Sequence, residues 1–298
     1  MRVFVTGASG FVGSAIVQDL KAAGHHVIGL ARSDASAAAL TAAGAEVHRG
    51  DIEDLDSLRA GAAKSDGVIH AAFNHDFSRF QASCAHDGRV IEALGEALIG
   101  TTRPLIVTSG LGVLQQGGLL TEDDLAPTGP AAHPRTASEH AATAVATRGV
   151  HVSILRLPPS THGEGDHGFV PMLIGIAREK GVSAYPGDGS NRWPAVHRRD
   201  AARLYRLALE KGAADARYHA VAEEGVAFRE IAQTIGKGLG LPVESRTGEA
   251  AAAHFGWFSH FAAMNVPASS AWTRRELGWQ PTEVELIGDM MQAGYFAG

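Results

Sequence analysis

The 298-residue sequence contains a single cysteine, Cys84. No intrachain disulfide can form, which suits a reducing compartment and leads us to expect a cytoplasmic protein. No apolar run approaches the roughly 20 residues of a membrane span. The N-terminus enters a short strand and a glycine turn within six residues, unlike a secretory leader. Positive charge is not in excess: 26 Lys and Arg stand against 32 Asp and Glu, for a formal net charge of -6. Neither nucleic acid nor an anionic membrane is therefore expected as a partner. Internal repeats, low-complexity linkers and a metal-binding motif are also missing. Hydrophobic residues make up 45% of the chain. That is enough to core one large α/β domain, or a nucleotide domain with a smaller lobe.

The first half alternates short apolar strands with helical stretches. The strand candidates are Val3 to Val5, Val27 to Leu30, Glu46 to His48, Val68 to Ile69, Leu105 to Val107 and Val152 to Leu155. They are short and Val/Ile-rich, as strands buried on both faces are. The first helix is expected from Phe11 to Ala23, capped by Gly24, with Val12, Ile16, Val17 and Leu20 as its buried stripe. The alternation predicts a doubly wound parallel sheet with helices on both faces, the Rossmann arrangement. A longer helix is expected over Phe77 to Leu98. Its seam of Phe77, Phe80, Cys84, Ile91, Leu94 and Leu98 is interrupted by Asp87. That seam packs on its own sheet or joins a dimer interface. After Leu157 the pattern loosens into a Pro- and Gly-rich loop, and 217–221 reads as a strand returning to the sheet. We therefore expect a dinucleotide-binding domain over 1–157 and, over 158–298, a smaller and partly interleaved substrate lobe.

The turn after the first strand reads Gly7-Ala8-Ser9-Gly10-Phe11-Val12-Gly13. Gly7 permits the sharp turn, Gly10 lets the backbone approach a pyrophosphate, and Gly13 lets the helix sit close to the sheet. Free N–H groups at the helix start then face the phosphates. The alternative is a tight turn without a ligand. The second strand ends Leu30-Ala31-Arg32-Ser33. Ala31 takes the place where an NAD-selective site carries an acid, and Arg32 can pair with a 2′-phosphate. NADP(H) is thus the expected cofactor, unless Arg32 simply faces solvent.

The spacing Gly-x-x-Gly-x-x-Gly, preceded by Thr6, resembles the short-chain dehydrogenase/reductase superfamily. The resemblance is to its extended or atypical branch, the NAD(P)-dependent epimerase/dehydratase-like group. It extends along nearly the whole chain. It takes in Gly50-Asp51-Ile52, His70-Ala71-Ala72, Thr108-Ser109 and Arg156-Leu157-Pro158 with the Gly163 to Gly168 loop. It continues through Val196-His197 with Asp200 to Leu277-Gly278-Trp279-Gln280-Pro281. The resemblance implies that Asp51 binds the adenine amino group beside Ile52. The alternative for Asp51 is a helix N-cap. It also implies that Ala71, Ala72, Phe73 and Thr108 line the cofactor, that Pro158 lies near the nicotinamide, and that a homodimer forms.

The chain departs from that family at its chemistry. The family transfers a proton with a Tyr, a Lys four residues later, and a Ser or Thr from the end of the fifth strand. Tyr185, Tyr205, Tyr218 and Tyr295 all lack a Lys at that spacing. Arg135 stands in the Tyr position, Glu139 in the Lys position, and the Ser position falls on Gly110 or the adjacent Ser109. Arg135 cannot donate a proton at neutral pH. It can polarise a carbonyl, or pair with Glu139 at helical spacing. His75 and Asp76 follow the fourth strand at the ligand-binding edge, and His162 and His167 lie in the later loop; each is a candidate proton carrier or a plain loop residue. The candidate catalytic set is Ser109, Arg135, His75 and His162. The expected function is hydride transfer between NADP(H) and a small carbonyl or alcohol. A cofactor-binding sensor or scaffold is the alternative, and a sugar-nucleotide epimerase or dehydratase ranks below both.

Overall fold

The computed structural model describes residues 1–114, 117–292 and 294–297. The side chain of Phe77, counted above in the apolar seam, lies outside the described residues. In chain order, β1 (Arg2–Thr6), α1 (Phe11–Ala22), β2 (His26–Ala31), α2 (Asp34–Ala42), β3 (Glu46–Arg49), α3 (Leu55–Ala63) and β4 (Gly67–His70) form the first half of the wound sheet. The second half is α4 (Phe80–Glu96), β5 (Leu105–Gly110), α5 (Thr136–Ala146) and β6 (Val152–Leu157). There follow β7 (Ser160–His162), α6 (Phe169–Lys180), β8 (Ser183–Pro186), β9 (Arg192–His197), α7 (Arg198–Lys211) and β10 (Arg217–His219). The chain ends with β11 (Glu223–Ala227), α8 (Phe228–Leu239), β12 (Val243–Arg246), α9 (Gly248–Phe255), α10 (Ser259–Ala262), α11 (Ala271–Leu277) and α12 (Leu286–Gln292).

Seven strands make one parallel sheet in the order β10-β6-β5-β4-β1-β2-β3. The fold is a doubly wound Rossmann-type α/β sheet, as the strand pattern predicts. Its connection order reverses between β1 and β4, where a crevice opens beyond the C-terminal strand ends. Short Val/Ile/Leu strands form because helices cover both faces, so alternation is not needed. Val3, Phe4, Val5, Val68 and Ile69 are all fully buried. The α1 stripe holds for Ile16, Val17 and Leu20. Val12 is only partly buried, because the first turn of the helix sits at the sheet edge.

One core layer carries α1 and α7 against the sheet, with Tyr205 and Trp279 wholly buried. A second carries α3, α4 and α5 on the other face. A separate cluster around Trp193, Phe228 and Phe258 cores the part built from α6, α8, α9 and the small sheets β11-β9-β7 and β12-β8. These short strands escape the sequence patterning, because strands of three to six residues in two- and three-stranded sheets need little apolar run. The segment after Pro158 thus contains β7 where a loop is expected. The long helix also starts later than expected: residues 77–79 form a 3₁₀ turn and α4 begins at Phe80. Among the described residues, no helix is long and apolar enough to cross a membrane.

Candidate active site

The glycine turn bridges β1 to α1 at the crevice. Gly7 is left-handed, with φ +69°, and a Cβ there would lie 2.7 Å from Ala72 N. A Cβ on Gly13 would lie 1.9 Å from the Gly7 carbonyl oxygen, so the helix can approach the turn only without a side chain. The Gly7 carbonyl accepts from Gly10 N at 2.9 Å, and the cap of α1 has no side-chain hydrogen bond. Ser9 and Gly10 are exposed, and Phe11 and Val12 are half-buried. An uncapped twelve-residue helix pointing its first N–H groups into this crevice fits a dinucleotide pyrophosphate.

Arg32 follows β2 and is open to solvent, with its side chain 79% exposed and Nε 3.8 Å from Asp51. Ser33 caps α2, accepting from Ser36 N at 3.2 Å. The alternative role for Asp51 belongs to another residue: Asp54 caps α3 by accepting from Ser57 N at 3.0 Å. Asp51 instead accepts from Glu53 N in a local turn, beside the half-buried Ile52. The Thr108 hydroxyl donates to the His70 carbonyl and accepts from Tyr205 Oη, both at 2.7 Å. Its side chain therefore ties β5 to β4 and α7. Burial pushes the Tyr205 phenol above its usual range, and it is fully enclosed. Tyr205 does not replace the missing tyrosine. Pro158 is buried, with its carbonyl accepting from Thr161 at 3.2 Å.

Arg135 stands just before α5 and does not pair with Glu139. Its Nη1 meets Asp87 at 2.6 Å and Ser138, its Nη2 donates to the Thr108 carbonyl at 3.2 Å, and its Cζ lies 4.1 Å from the Phe73 ring centre. Asp87 also accepts from Ser138 Oγ at 2.5 Å and contacts His70 Nε2 at 3.0 Å. His70 Nδ1 reaches Thr6 Oγ1 at 2.7 Å. Burial alone would raise the Asp87 carboxyl, but Arg135 and His70 outweigh it and hold the group below the usual carboxylate range. A charged, buried anchor therefore fixes the guanidinium at the sheet edge. Asp87, His70, Thr6 and Ser138 were not assigned this role from the sequence. The signal was there in Asp87, an acid interrupting an otherwise apolar helical seam.

Glu139 makes a different pair. It receives Arg156 Nε at 2.9 Å and Nη2 at 2.8 Å, and Ser109 Oγ at 2.7 Å. Burial would raise its carboxyl; Arg156 and Ser109 override that and lower it. Ser109, 3% exposed, spends its hydroxyl on this pair and does not face the crevice. His162 is also placed apart. It is 1% exposed, with Nδ1 2.8 Å from Asp289 and its ring against His197. Among the described residues, no hydrogen bond or ring contact joins it to the Arg135 group. His167 lies edge-on to Phe11 at 5.7 Å, and His75 edge-on to Phe73 at 5.1 Å. Loss of water around the His75 ring, followed by Arg135 and His167, lowers its pKa. Asp76 caps the 3₁₀ turn at 77–79 through Ser78 N at 3.0 Å. Two hollows lie elsewhere, one of about 650 Å³ beside Glu223 and Glu285 and one of about 410 Å³ beside Arg199 and Glu283. Among the described residues, no group of three or more His, Cys, Asp or Glu is arranged to hold a metal.

The model of the NAD dependent epimerase/dehydratase family matches residues 3–222. The chain is 54% identical over 297 residues to an uncharacterised protein of Schizosaccharomyces pombe, covering 99% of this chain and 100% of that one. It is 30% identical over 260 residues to 2-alkyl-3-oxoalkanoate reductase of Stenotrophomonas maltophilia, covering 81% and 77%. In fold it is similar to dTDP-glucose 4,6-dehydratase from Streptomyces venezuelae, solved with NAD, at a TM-score of 0.77 and 24% identity over 99% of this chain and 97% of that one. On the family match together with the glycine turn at the sheet's switch point, this chain belongs to the NAD dependent epimerase/dehydratase family.

Proposed function

We propose that this protein is an NADP(H)-dependent oxidoreductase acting on a small carbonyl or alcohol, with Arg135 in the role that the family gives to tyrosine. The observation that carries this is the anchoring of Arg135. Its guanidinium is held at the sheet edge by Asp87, Ser138 and the Thr108 carbonyl, over the Phe73 ring. The family membership and the 30% identity to a reductase of 3-oxo acids add support.

Gly7, Ser9, Gly10, Phe11, Val12 and Gly13 would cradle the pyrophosphate, Arg32 and Ser33 the 2′-phosphate, and Asp51 and Ile52 the adenine. Ala71, Ala72, Phe73 and Pro158 would flank the rest of the cofactor. The bound nicotinamide supplies or takes the hydride. Arg135 orients the substrate oxygen and stabilises negative charge as it develops there, without giving up a proton. His75, edge-on to Phe73 at 5.1 Å, would take the proton of an alcohol.

Arg32→Ala is expected to weaken NADPH binding about tenfold or more and NADH binding little, because a charge-assisted bidentate pair is lost only with the phosphate. Fluorescence titration with both cofactors checks this; equal losses would remove Arg32 from the cofactor site. Turnover is tested by following NADPH absorbance with a panel of aldehydes, ketones and imines. Oxidation of NADPH by a member of the panel supports the oxidoreductase. The absence of a Tyr-x-x-x-Lys pair favours one other reading, a non-catalytic NADP(H) sensor or scaffold. Tight NADPH binding with no oxidation across the panel would establish that reading instead.

A further inference from the structure

Two helices bring their N-termini together at the glycine turn. α7 lies along α1, with Arg206 Nε 2.7 Å from Asp19 and Glu210 2.8 Å from His25 Nε2. Residues further along one helix meet residues further along the other, so the two run parallel and their positive ends adjoin. Arg198 opens α7, and its Cζ lies 5.1 Å from the ring centre of Phe11, which opens α1. The guanidinium therefore stands where two helix dipoles already place positive charge. No acid in the first turn of α1 offsets it. The acid in the first turn of α7, Asp200, is taken up by Arg203 at 3.0 Å and by the Thr282 and Glu283 N–H groups. Among the described residues, Arg198 forms no ion pair. Its Nη1 donates to the Glu164 carbonyl at 2.9 Å, and its Nε and Nη2 have no partner among those residues. Burial first, then Arg199, disfavour its charge, against the pull of Glu164. The side chain is nonetheless held in place. Gly163 and Gly165, at φ +138° and +79°, let the later loop pass over it, and a Cβ on Gly163 would lie 3.1 Å from Arg198 Cγ. His167 of the same loop meets the Phe11 ring.

We infer that Arg198 is a cofactor-binding residue, whose Nε–Nη2 edge pairs with the pyrophosphate that the Gly7 to Gly13 turn cradles. The inference rests on the cofactor reading above and adds to it a cation from α7. Three features select a pyrophosphate. It is a dianion, and it offsets two helix N-termini and a guanidinium at once. The planar fork of a guanidinium matches two phosphate oxygens, and the edge that does so is the one without a partner among the described residues. The ring of Phe11 holds the cation within a side-chain's length of the first N–H groups of α1, which are themselves the cradle. The hollow of about 410 Å³ that Arg198 also borders is no rival site for an anion, since Glu164, Glu283 and Asp289 line it too. Arg32 and Arg198 thus serve different phosphates, the first the 2′-phosphate and the second the bridge between the two nucleotides.

Fluorescence titration with NADPH and with NADH, which share the pyrophosphate, tests this apart from turnover. Arg198→Met keeps a long stem over Phe11 and removes the charge. It is expected to weaken both cofactors about tenfold, by the same factor, as one charge-assisted pair is lost. Arg198→Lys keeps the charge without the fork and should lose about threefold. Thermal unfolding of the cofactor-free proteins shows that each variant folds. ADP-ribose, which carries the pyrophosphate without the nicotinamide, is read by its displacement of NADPH. Its affinity should fall in Arg198→Met by the same factor as that of NADPH. Parent-like affinity of folded Arg198→Met for both cofactors overturns the assignment and leaves the cofactor reading standing. A loss confined to NADPH, or one that spares ADP-ribose, moves Arg198 off the pyrophosphate and also overturns it. If the parent binds neither NADPH nor NADH, the cofactor reading and the assignment fall together.

Discussion

Replacing Glu139 by lysine is expected to destabilise the fold by about 3–5 kcal/mol or more. Glu139 is 2% exposed and Arg156 is fully buried. Their two-point contact neutralises both charges away from water, aided by Ser109, the Asp124 carbonyl and His219. Glu139→Lys would set two cations against each other in a low-dielectric space. Glu139→Gln keeps the shape and loses the charge, so it should cost less. Thermal and urea unfolding check both, and a Glu139→Lys variant as stable as the parent would refute the role of the pair. The same pair makes stability depend on pH. The folded Glu139 carboxyl titrates below its unfolded value of 4.5. Its contribution is therefore complete above that value and drains away as pH falls through the folded pKa. Glu139→Gln should show a flatter loss of urea midpoint between neutral pH and acid.

Arg135→Ala is expected to lower kcat about 10²- to 10³-fold, the cost of removing one preorganised donor at a developing oxyanion. KM for the carbonyl substrate and affinity for NADPH should change far less, because the guanidinium acts mainly when charge develops. Arg135→Lys keeps the charge but cannot span Asp87 and the Thr108 carbonyl together, so it should recover only part of the rate. Added guanidine should rescue Arg135→Ala and leave Arg135→Lys unaffected. The alanine variant leaves Asp87, 4% exposed, with His70 and Ser138 alone, so its unfolding midpoint must accompany the kinetics. Unchanged turnover in folded Arg135→Ala would exclude Arg135 from the chemistry.

The sequence by itself determined the wound sheet, because buried parallel strands and capped amphipathic helices announce themselves over five to twelve neighbouring residues. It determined the glycine turn for the same reason: steric limits at Gly7 and Gly13 act within one strand–turn–helix unit. It also showed that the tyrosine and lysine were gone. What replaced them was decided by tertiary structure. Arg135 and Glu139 sit four apart and suggest a local pair, yet each finds a partner far along the chain, Asp87 on α4 and Arg156 on β6. A buried charge must be matched by whichever opposite charge packing brings within about 3 Å, and the desolvation cost enforces that match over helical neighbourhood. Ser109 and His162 turned inward by the same logic, toward Glu139 and Asp289.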